Sequence, residues 1–288
     1  MKLALRTRTI TFPRRPLLMG IVNINDDSFS GDGTLDPIVA VDQALKMVQQ
    51  GADIIDFGGE SARTNRTAIT EQEELRRVLP VLESFQDRCR TISPRDSIQV
   101  YPPILSINTW RPAVARETLL AGGEILNDIS GLPDATNARI CSETHAALLI
   151  MHSVGDPKMP HTHVNYENVL KTMDSFFENK MALAIRSGLS FDSIVLDPGI
   201  DFAKQQADNL RILAFGKDFN HFQRPVLWPI SRKTVIGKTL NIPIPSDRDA
   251  GTIACLVAGI TRGISIFRVH QVDAAYAANT ILHSFLPF

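Results

Sequence analysis

The chain is poor in cysteine, in charge of one sign and in long apolar runs. Its three cysteines, Cys89, Cys141 and Cys255, are widely spaced and form no CxxC pattern, which argues against a disulfide framework or a zinc site. A formal net charge of −1 without a basic stripe argues against nucleic acid as a partner. Neither a membrane-spanning run nor a signal-peptide pattern occurs. These absences predict a cytoplasmic protein that binds small molecules, not nucleic acid or membrane.

What the chain has is eight short apolar runs, each ending in polar residues and followed by a helix-like segment. The polar ends lie at residues 20–23, 56–60, 106–108, 127–128, 151–152, 197–199, 231–233 and 268–270. In a (β/α)8 barrel all strand C-termini point to one face, so these residues would meet at one site. The 288 residues, 44% of them hydrophobic, are enough for one such domain. We therefore predict a single-domain α/β TIM barrel over residues 1–288, with an open doubly wound sheet as the alternative.

Several helix boundaries and two accessory segments can also be predicted. Helices are expected over residues 37–50, before Gly51, from a capping box at Thr70 and Glu73 to about residue 86, and over residues 166–187. Residues 1–12 are predicted to form a hairpin that plugs the barrel floor, and the polar stretch 89–103 a surface insertion. The predicted strands cover residues 17–25, 52–56, 104–108, 124–128, 147–151, 193–196, 226–230 and 264–269.

Acidic and amide side chains end three of these strands. Asp56, Asp128 and Asp197 follow apolar residues, where a charged group is costly unless a partner or ligand satisfies it. Asn127 adds an amide that can both donate and accept. A single such residue is often a structural cap. Three on a common rim predict a polar ligand that carries several N–H donors.

Basic residues form a second group. Arg63 follows the second strand, Arg232 and Lys233 follow the seventh, and Arg268 and His270 end the eighth. The loops after strands seven and eight are the usual phosphate site of a barrel, and arginine can hold phosphate oxygens bidentately. A phosphorylated substrate is therefore predicted. The alternative is that these residues only pair with acids on the rim.

Two glycine-containing loops and one asparagine complete the predicted site. The loops, at residues 27–33 and 58–63, contain small residues that suit mobile covers over a substrate. Phe29, between two serines, has little to bury unless something closes beneath it. Asn23 is a candidate oxygen ligand for Mg²⁺, which is usually held by few protein atoms together with substrate oxygens.

In chain order, these motifs resemble those of the dihydropteroate synthases, a family of pterin-binding barrels. The resemblance spans residues 19–270. The matching segments are Met19-Gly20-Ile21-Val22-Asn23, Asp27-Ser28-Phe29-Ser30, residues 53–61, Asn127-Asp128-Ile129, Met151-His152, Leu196-Asp197-Pro198-Gly199, Ser231-Arg232-Lys233 and Arg268-Val269-His270. Each motif is weak alone, but together they are specific.

The resemblance implies an enzyme that joins 6-hydroxymethyl-7,8-dihydropterin diphosphate to 4-aminobenzoate and releases pyrophosphate. It further implies a homodimer, inhibition by sulfonamides that mimic aminobenzoate, and a pterin methylene cation formed when pyrophosphate leaves. Three residues would take part in catalysis: Lys233, Arg268 and Asp197. The pterin would be bound by Asn108, Asn127, Asp197 and Lys233, the diphosphate by Asn23, Arg63, Arg268 and His270 with Mg²⁺ beside Asn23, and the aminobenzoate by Phe29, Ala62, Arg63, Thr64 and Ser231.

The sequence departs from the family pattern at several of these places. The third strand ends in Asn108 where the family usually has aspartate, and Asp201 stands where glycine is common. The first loop has Asn25-Asp26 in place of Thr-Pro, and the second has Ala62 and Thr64 in place of threonine and proline. Three hypotheses follow: an active synthase with a changed arylamine pocket, a repurposed pterin-binding paralogue, and a methyltetrahydrofolate-corrinoid methyltransferase. The last would not need a diphosphate clamp.

Overall fold

Eight parallel strands form the barrel that the sequence predicts. The computed structural model describes residues 1–26, 28, 31–62, 64, 66–159 and 164–285. The strands run in the order β8-β7-β6-β5-β4-β3-β10-β9, and a parallel bridge between Leu196 and Val226 closes the ring. Their bounds are β3 Leu17–Asn23, β4 Ile54–Gly58, β5 Ile104–Asn108, β6 Ile125–Asp128, β7 Ala147–Met151, β8 Ile194–Asp197, β9 Leu227–Trp228 and β10 Ile266–Val269.

The N-terminal hairpin closes one end of the barrel, as predicted. Its strands, β1 (Lys2–Ala4) and β2 (Thr9–Thr11), pair antiparallel. Leu3 and Ile10 are buried in the same apolar cluster as Leu17, which begins β3. Because Leu17 lies at the N-terminal end of its strand, the hairpin covers the barrel floor and leaves the opposite face open.

Helices wrap the outside of the barrel and bury a second apolar layer against it. No helix in the described part of the chain is both long and apolar enough to cross a membrane. The helix bounds are α1 Pro37–Gln49, α2 Glu71–Cys89, α3 Pro112–Leu120, α4 Thr136–Thr144, α5 Val169–Arg186, α6 Gln206–Phe215, α7 Thr234–Leu240, α8 Asp249–Ile260 and α9 Val272–His283. The strand β9 is followed by two helices, of which α7 is only seven residues long.

The capping box predicted at the start of α2 is half correct. Thr70 is the N-cap, and its hydroxyl accepts from the Glu73 backbone N–H at 3.2 Å. The Glu73 carboxylate does not complete the box, because it accepts from the guanidinium groups of Arg76 and Arg77 at 2.8 and 2.7 Å. Two arginines one turn along the helix compete successfully for this carboxylate.

The interpretation of residues 89–103 as a surface insertion is wrong for its last part. Gln99 and Val100 are buried at the barrel floor. The Gln99 amide donates to the carbonyls of Val48 and Ala52 at 2.9 and 2.8 Å, and the Val100 N–H donates to Asp53 at 2.8 Å. The segment is polar because it satisfies backbone groups beneath the barrel, which composition alone does not reveal.

Several predicted elements are longer than the observed ones, and for two of them the physical reason is clear. Strand β9 covers only Leu227–Trp228, with Val226 in a separate bridge to Leu196, whereas the sequence predicts residues 226–230; Pro229 has no N–H to donate to a neighbouring strand. Helix α5 begins at Val169 and not at residue 166, since the Asn168 side chain accepts from the Lys171 N–H at 3.2 Å and forms the N-cap.

Candidate active site

The polar strand ends converge on one pocket at the open end of the barrel, as the sequence predicts. A row of paired positions crosses four adjacent strands, with Asn23 beside Gly58, Gly58 beside Asn108, and Asn108 beside Asn127. The pocket has a volume of about 280 Å³. Every barrel strand, or the segment just after it, contributes lining residues: Asn23, Gly58, Asn108, Asn127, Met151, Asp197, Ser231 and Arg268.

Asp56 lies beneath this row and organises it from below. Its carboxylate is completely buried and precedes Gly58 by two residues, so it points into the barrel one layer deeper. One oxygen accepts from the Ser106 hydroxyl at 2.5 Å. The other accepts from Asn127 Nδ2 at 3.0 Å and from Arg268 Nε at 2.7 Å. Asp56 therefore fixes the orientation of two predicted substrate-binding side chains.

Asn127 presents an acceptor to the pocket. Its Nδ2 group is used by Asp56, which leaves Oδ1 as the free end of the amide. Within the described residues, this buried oxygen has no hydrogen-bond partner. A buried polar atom without a partner is costly, and a ligand N–H at this position would remove the cost.

Asp197 is a second acceptor on the pocket wall and is 3% exposed. Burial raises its pKa to about 6, although the Gly199 N–H and the Lys233 ammonium oppose the shift. Gly199 donates to the carboxylate at 2.7 Å from a backbone conformation with φ +62°. A Cβ at Gly199 would stand 2.2 Å from the His152 carbonyl oxygen, so only glycine fits. The Asp-Pro-Gly motif is thus a geometric requirement for holding Asp197.

Lys233 follows β9, the strand next to the one that ends in Asp197, and both residues line the pocket. Burial lowers the pKa of its ammonium group, while Asp201 and Asp197 raise it. Its Nζ lies 4.6 Å from the ring centre of Phe202, a cation–π distance. Phe202 also lines the pocket and was not predicted from the sequence. The sequence feature that could have identified Phe202 is a single aromatic residue on the loop directly after the Asp197-Pro198-Gly199 motif.

His270 and Ser231 form a hydrogen-bonded pair beyond the ends of the neighbouring strands β9 and β10. The Ser231 hydroxyl oxygen accepts from the His270 backbone N–H at 3.1 Å and lies 2.8 Å from His270 Nδ1. Burial lowers the pKa of His270, so the imidazole is neutral at pH 7. If the serine hydroxyl donates to Nδ1, the remaining proton sits on Nε2, which is 3.7 Å from an Asp32 carboxylate oxygen. The ring then carries its N–H on the side that faces Asp32.

Asn23 belongs to an oxygen-rich corner next to this histidine. Its Nδ2 group donates to the Ser28 hydroxyl and to Asp32 Oδ1, both at 3.1 Å. Ser28 also donates to Asp32 at 2.6 Å. Asp32 was not predicted as a site residue, because its loop position gives no periodic signal. It places a carboxylate in direct hydrogen-bond contact with the predicted metal ligand.

Besides Asp56, which lies one layer below the pocket, two strand-end or rim residues that suggested a site do not line it. Asp128 turns outward and accepts from Ser130 and from Asn137 Nδ2, the latter at 2.9 Å, so it is a structural cap for the following loop. Arg232 forms a two-point ion pair with Asp249 at 2.8 and 2.9 Å. For Arg232, the alternative of pairing with a rim acid is therefore correct.

The second loop is anchored at its base by buried charge. Glu60 accepts from the Ile69 N–H at 3.1 Å and pairs with Lys158 at 3.0 Å. Lys158 also donates to the Ser61 carbonyl at 3.2 Å. This ties the loop after β4 to the loop after β7.

Three of the five predicted arylamine residues lie around the outer part of the pocket. Ala62 and Ser231 line it, and Thr64 lines an adjoining cavity of about 530 Å³. The other two predicted residues, Phe29 and Arg63, lie outside the described residues, as do Asp27, Ser30 and Asn65 of the two loops.

Comparison with known proteins agrees with this geometry. The model of the family described as pterin binding enzyme matches residues 19–270. Dihydropteroate synthase from Escherichia coli K12 is 35% identical over 272 residues, covering 94% of this chain and 92% of the relative. The chain belongs to the dihydropteroate synthase family. Its members are transferases, so this barrel is an enzyme, and the identity to a synthase favours that activity over the methyltransferase alternative.

Solved structures of the dihydropteroate synthase family superpose on the whole barrel. The Yersinia pestis enzyme in complex with a sulfonamide drug gives a TM-score of 0.88 at 32% identity, covering 99% of this chain and 98% of that one. The Thermus thermophilus enzyme in complex with 4-aminobenzoate gives a TM-score of 0.85 at 30% identity, covering 99% and 100%. The resemblance inferred from the motifs is thereby confirmed.

Proposed function

We propose that this chain condenses 6-hydroxymethyl-7,8-dihydropterin diphosphate with 4-aminobenzoate and releases pyrophosphate. The proposal is supported by one observation: a single pocket has hydrogen-bond acceptors on one side and hydrogen-bond donors on the other. Buried acceptors, Asp197 and the unpartnered Asn127 Oδ1, stand on one side. Arg268, His270 and Asn23 stand on the other. A heteroaromatic ring with several N–H groups and a diphosphate tail matches both walls.

The pterin ring binds between Asn127, Asp197 and Lys233 in this proposal. Ionised Asp197 accepts from the 2-amino group and a ring N–H, while Asn127 Oδ1 accepts a further N–H. Lys233 donates to an acceptor of the ring and remains close enough to Asp197 to stabilise its charge. Asp56 keeps Asn127 in the required orientation through the 3.0 Å hydrogen bond.

The diphosphate binds to Arg268 and His270, with Arg63 as a further proposed contact. Because Arg268 Nε is held by Asp56, the outer nitrogens of the guanidinium group can bind phosphate oxygens. Neutral His270 contributes one N–H without adding charge. The carboxylate of Asp56 thus connects the diphosphate side of the pocket with the pterin side.

Mg²⁺ would be held by the amide oxygen of Asn23, with the Asp32 carboxylate nearby, because Asn23 Nδ2 already donates to Asp32. Amide and carboxylate oxygens are the donors that this ion prefers, and it usually completes its shell with water and substrate phosphates. In the described part of the chain, no group of three or more His, Cys, Asp or Glu side chains is placed to hold a metal alone. Such an ion would neutralise charge on the departing pyrophosphate when it is bound.

The reaction proceeds by loss of pyrophosphate and capture of the resulting cation. The bond between the pterin methylene carbon and the diphosphate oxygen breaks, and the oxygen keeps the electron pair. The amine nitrogen of the arylamine then attacks the methylene carbon, forms the C–N bond and releases a proton. Arg268 and His270 stabilise the leaving group, and the ionised Asp197 stabilises the pterin cation. The outer loops, with Phe29, Ala62 and Thr64, exclude water from that cation.

Several further properties belong to the same proposal. Sulfonamide binding is supported by the complex of the Yersinia pestis relative, and aminobenzoate binding by that of the Thermus thermophilus relative. A homodimer rests on family resemblance alone, and the cytoplasmic location on the composition of the sequence.

Pyrophosphate release tests the proposed activity. Purified protein is mixed with the dihydropterin diphosphate and Mg²⁺, with and without 4-aminobenzoate, and pyrophosphate is measured with time. Release that depends on aminobenzoate is expected. Absence of release above background would reject the synthase.

Asn108 favours one second candidate, a repurposed pterin-binding paralogue. Its amide replaces the carboxylate that the family usually places beside the pterin. Tight binding of 6-hydroxymethylpterin without any turnover would support this candidate over the synthase.

A further inference from the structure

The loop after β8 has a strained backbone directly beyond Asp197. Gly199, Asp201 and Ala203 have φ values of +62°, +67° and +51°, which lie in the left-handed region. Two of these residues are not glycine, and such positions persist only where surrounding interactions hold them. For Asp201, one such interaction is a hydrogen bond that its carboxylate accepts from the Thr234 N–H at the start of α7. The rest of the loop needs a further interaction to keep its shape.

The ammonium group of Lys204 supplies this interaction. It donates to the carbonyl oxygens of Gly199 and Phe202, both at 3.0 Å, and to the carbonyl oxygen of His152, which follows β7, at 3.2 Å. An ammonium group has three N–H donors, so the three carbonyls use all of them. Hydrogen bonds from a charged donor are also stronger than those between neutral groups. Lys204 thereby joins the loop after β8 to the end of β7.

The same ammonium group acts on the Asp197 carboxylate. Gly199, whose carbonyl accepts from Lys204, donates its own N–H to Asp197 at 2.7 Å. Burial raises the pKa of Asp197, and the Gly199 N–H, Lys233, Lys204 and Arg268 lower it. Lys204 therefore affects this carboxylate in two ways, through the turn that holds it and through a positive charge.

Lys204 carries its charge in the pH range where Asp197 titrates. Burial lowers the pKa of the Lys204 ammonium group to about 7; among the charged groups around it, Asp197, Asp208 and Asp201 raise this pKa and Lys233 lowers it. The pKa of Asp197 is about 6. As pH rises, Asp197 loses its proton before Lys204 does, so an ionised carboxylate lies near an ammonium group.

We propose that Lys204 is a positioning residue for the pterin, which holds the Asp197-Pro198-Gly199 turn in shape and keeps a positive charge beside the Asp197 carboxylate. The inference rests on the proposed function, which assigns the pterin to Asp197. Lys204 does not bind the pterin itself, since backbone carbonyls use its three N–H groups. Its effect reaches the ligand through Asp197 and Phe202, both of which line the pocket.

Lys204→Met tests the proposal, because it removes the charge and keeps a straight side chain of similar length. We expect the affinity for 6-hydroxymethylpterin at neutral pH to fall about 10-fold or more, since the turn loses three charge-assisted hydrogen bonds. The pH below which pterin affinity falls should rise by about one pH unit, because an opposite charge no longer favours the ionised Asp197. Calorimetric titration between about pH 4.5 and about 8 measures both effects.

Three controls separate this role from a general loss of structure. Lys204→Arg keeps the charge, but its planar guanidinium group cannot match three carbonyls as an ammonium group does. It should lose part of the pterin affinity without a change in the pH dependence. Lys238→Met removes an exposed lysine that lines the adjoining cavity, so it should change neither property. Pyrophosphate affinity of Lys204→Met should stay within about twofold, as expected for a folded variant that keeps the diphosphate contacts.

The pH dependence decides the outcome. If Lys204→Met lowers pterin affinity by the same factor at every pH, or does not lower it, the proposal is overturned. Pyrophosphate release by the wild-type chain is measured in parallel. Pterin binding without turnover, combined with the expected change in Lys204→Met, would reject the synthase and support the role of Lys204. Turnover combined with an unchanged pH dependence in Lys204→Met would do the reverse.

Discussion

The deep and outer parts of the pocket are built differently. The deep part consists of side chains on strands, with Asn127 and Arg268 held by the buried Asp56. The outer part consists of loops, where Ala62, Thr64 and Asp201 depart from the family pattern. Strand positions are fixed by backbone pairing on both sides, so a change there disturbs the barrel. Loops can change more freely, which makes the arylamine side the place where this chain can differ in specificity.

Asn108 is the exception to this division. It is a departure on a strand, in the same row as Gly58 and Asn127. Asparagine and aspartate are nearly isosteric, so the barrel tolerates the exchange, while the charge presented to the pterin changes. Substitutions of other residues in the deep part therefore test how the ligands are bound, whereas substitution of Asn108 tests the effect of the charge presented to the pterin.

Asp197→Asn should have the largest effect, a loss of at least about 100-fold in affinity for 6-hydroxymethylpterin. The amide mismatches one of two N–H donors, and a mismatched buried group costs about 1–3 kcal/mol in addition to the lost charge-assisted bond. Calorimetric titration measures this loss, and pyrophosphate binding should persist. Retained pterin affinity would remove Asp197 from the deep part of the pocket.

Arg268→Ala should weaken binding of the dihydropterin diphosphate by about 10- to 100-fold, equivalent to roughly 1.5–3 kcal/mol for a charge-assisted contact. Affinity for 6-hydroxymethylpterin should fall much less, because Asp56 keeps Asn127 and Ser106 as partners. The matched control is Arg232→Ala, since Arg232 is paired with Asp249. Equal weakening of both ligands would contradict the assignment of Arg268 to the diphosphate.

Asn108→Asp should raise turnover at least about tenfold. A carboxylate about 4 Å from the pterin cation attracts it by roughly 4 kcal/mol at an effective dielectric near 20, and desolvation of the carboxylate consumes part of this gain. Pterin affinity should change less, since the charge develops mainly in the transition state. The rate of pyrophosphate release measures the effect. A rate that is unchanged or lower, in a folded variant, would favour the repurposed paralogue.

Pterin affinity should depend on pH through Asp197. Its pKa in the folded protein is raised from 3.8 to about 6, so the folded chain holds this proton more tightly than the unfolded chain does. The group therefore reduces the free energy of unfolding as pH rises from 3.8 towards about 6. A pterin that donates to the carboxylate needs it ionised, so affinity should fall about tenfold per pH unit below the folded pKa. Titration between about pH 4.5 and about 8 tests this; a flat profile would contradict it.

Asp128→Asn should have the smallest effect on ligands. Its carboxylate faces Asn137 and Ser130 outside the pocket, so pterin affinity should stay within about twofold, as expected for a site without ligand contact. The melting temperature should fall by a few degrees, because the amide cannot accept all the present hydrogen bonds. A large loss of pterin affinity at an unchanged melting temperature would place Asp128 in the site after all.

The barrel and most of the pocket's composition follow directly from the order of the amino acids. Eight apolar runs with polar ends can bury their strands in a closed parallel sheet with helices outside, and closure brings all the C-terminal ends together. Local signals such as the Thr70 N-cap depend only on neighbouring residues, so they can be predicted. Asn127 and Asp128 are consecutive on a strand, and the alternation of side chains implies that only one of them faces inward.

Which side chains meet in the site is a property of the folded molecule. Asp56 holds Arg268 across 212 positions of the chain, Ser231 contacts His270, and Asp201 caps a helix from another loop. Asp32 and Phe202 enter the site in the same way, from loops without any periodic pattern. Such contacts depend on strand order, register and loop path, which bring together residues that are distant in sequence. Periodicity shows which face of a strand is buried, but not which residue of another element lies opposite.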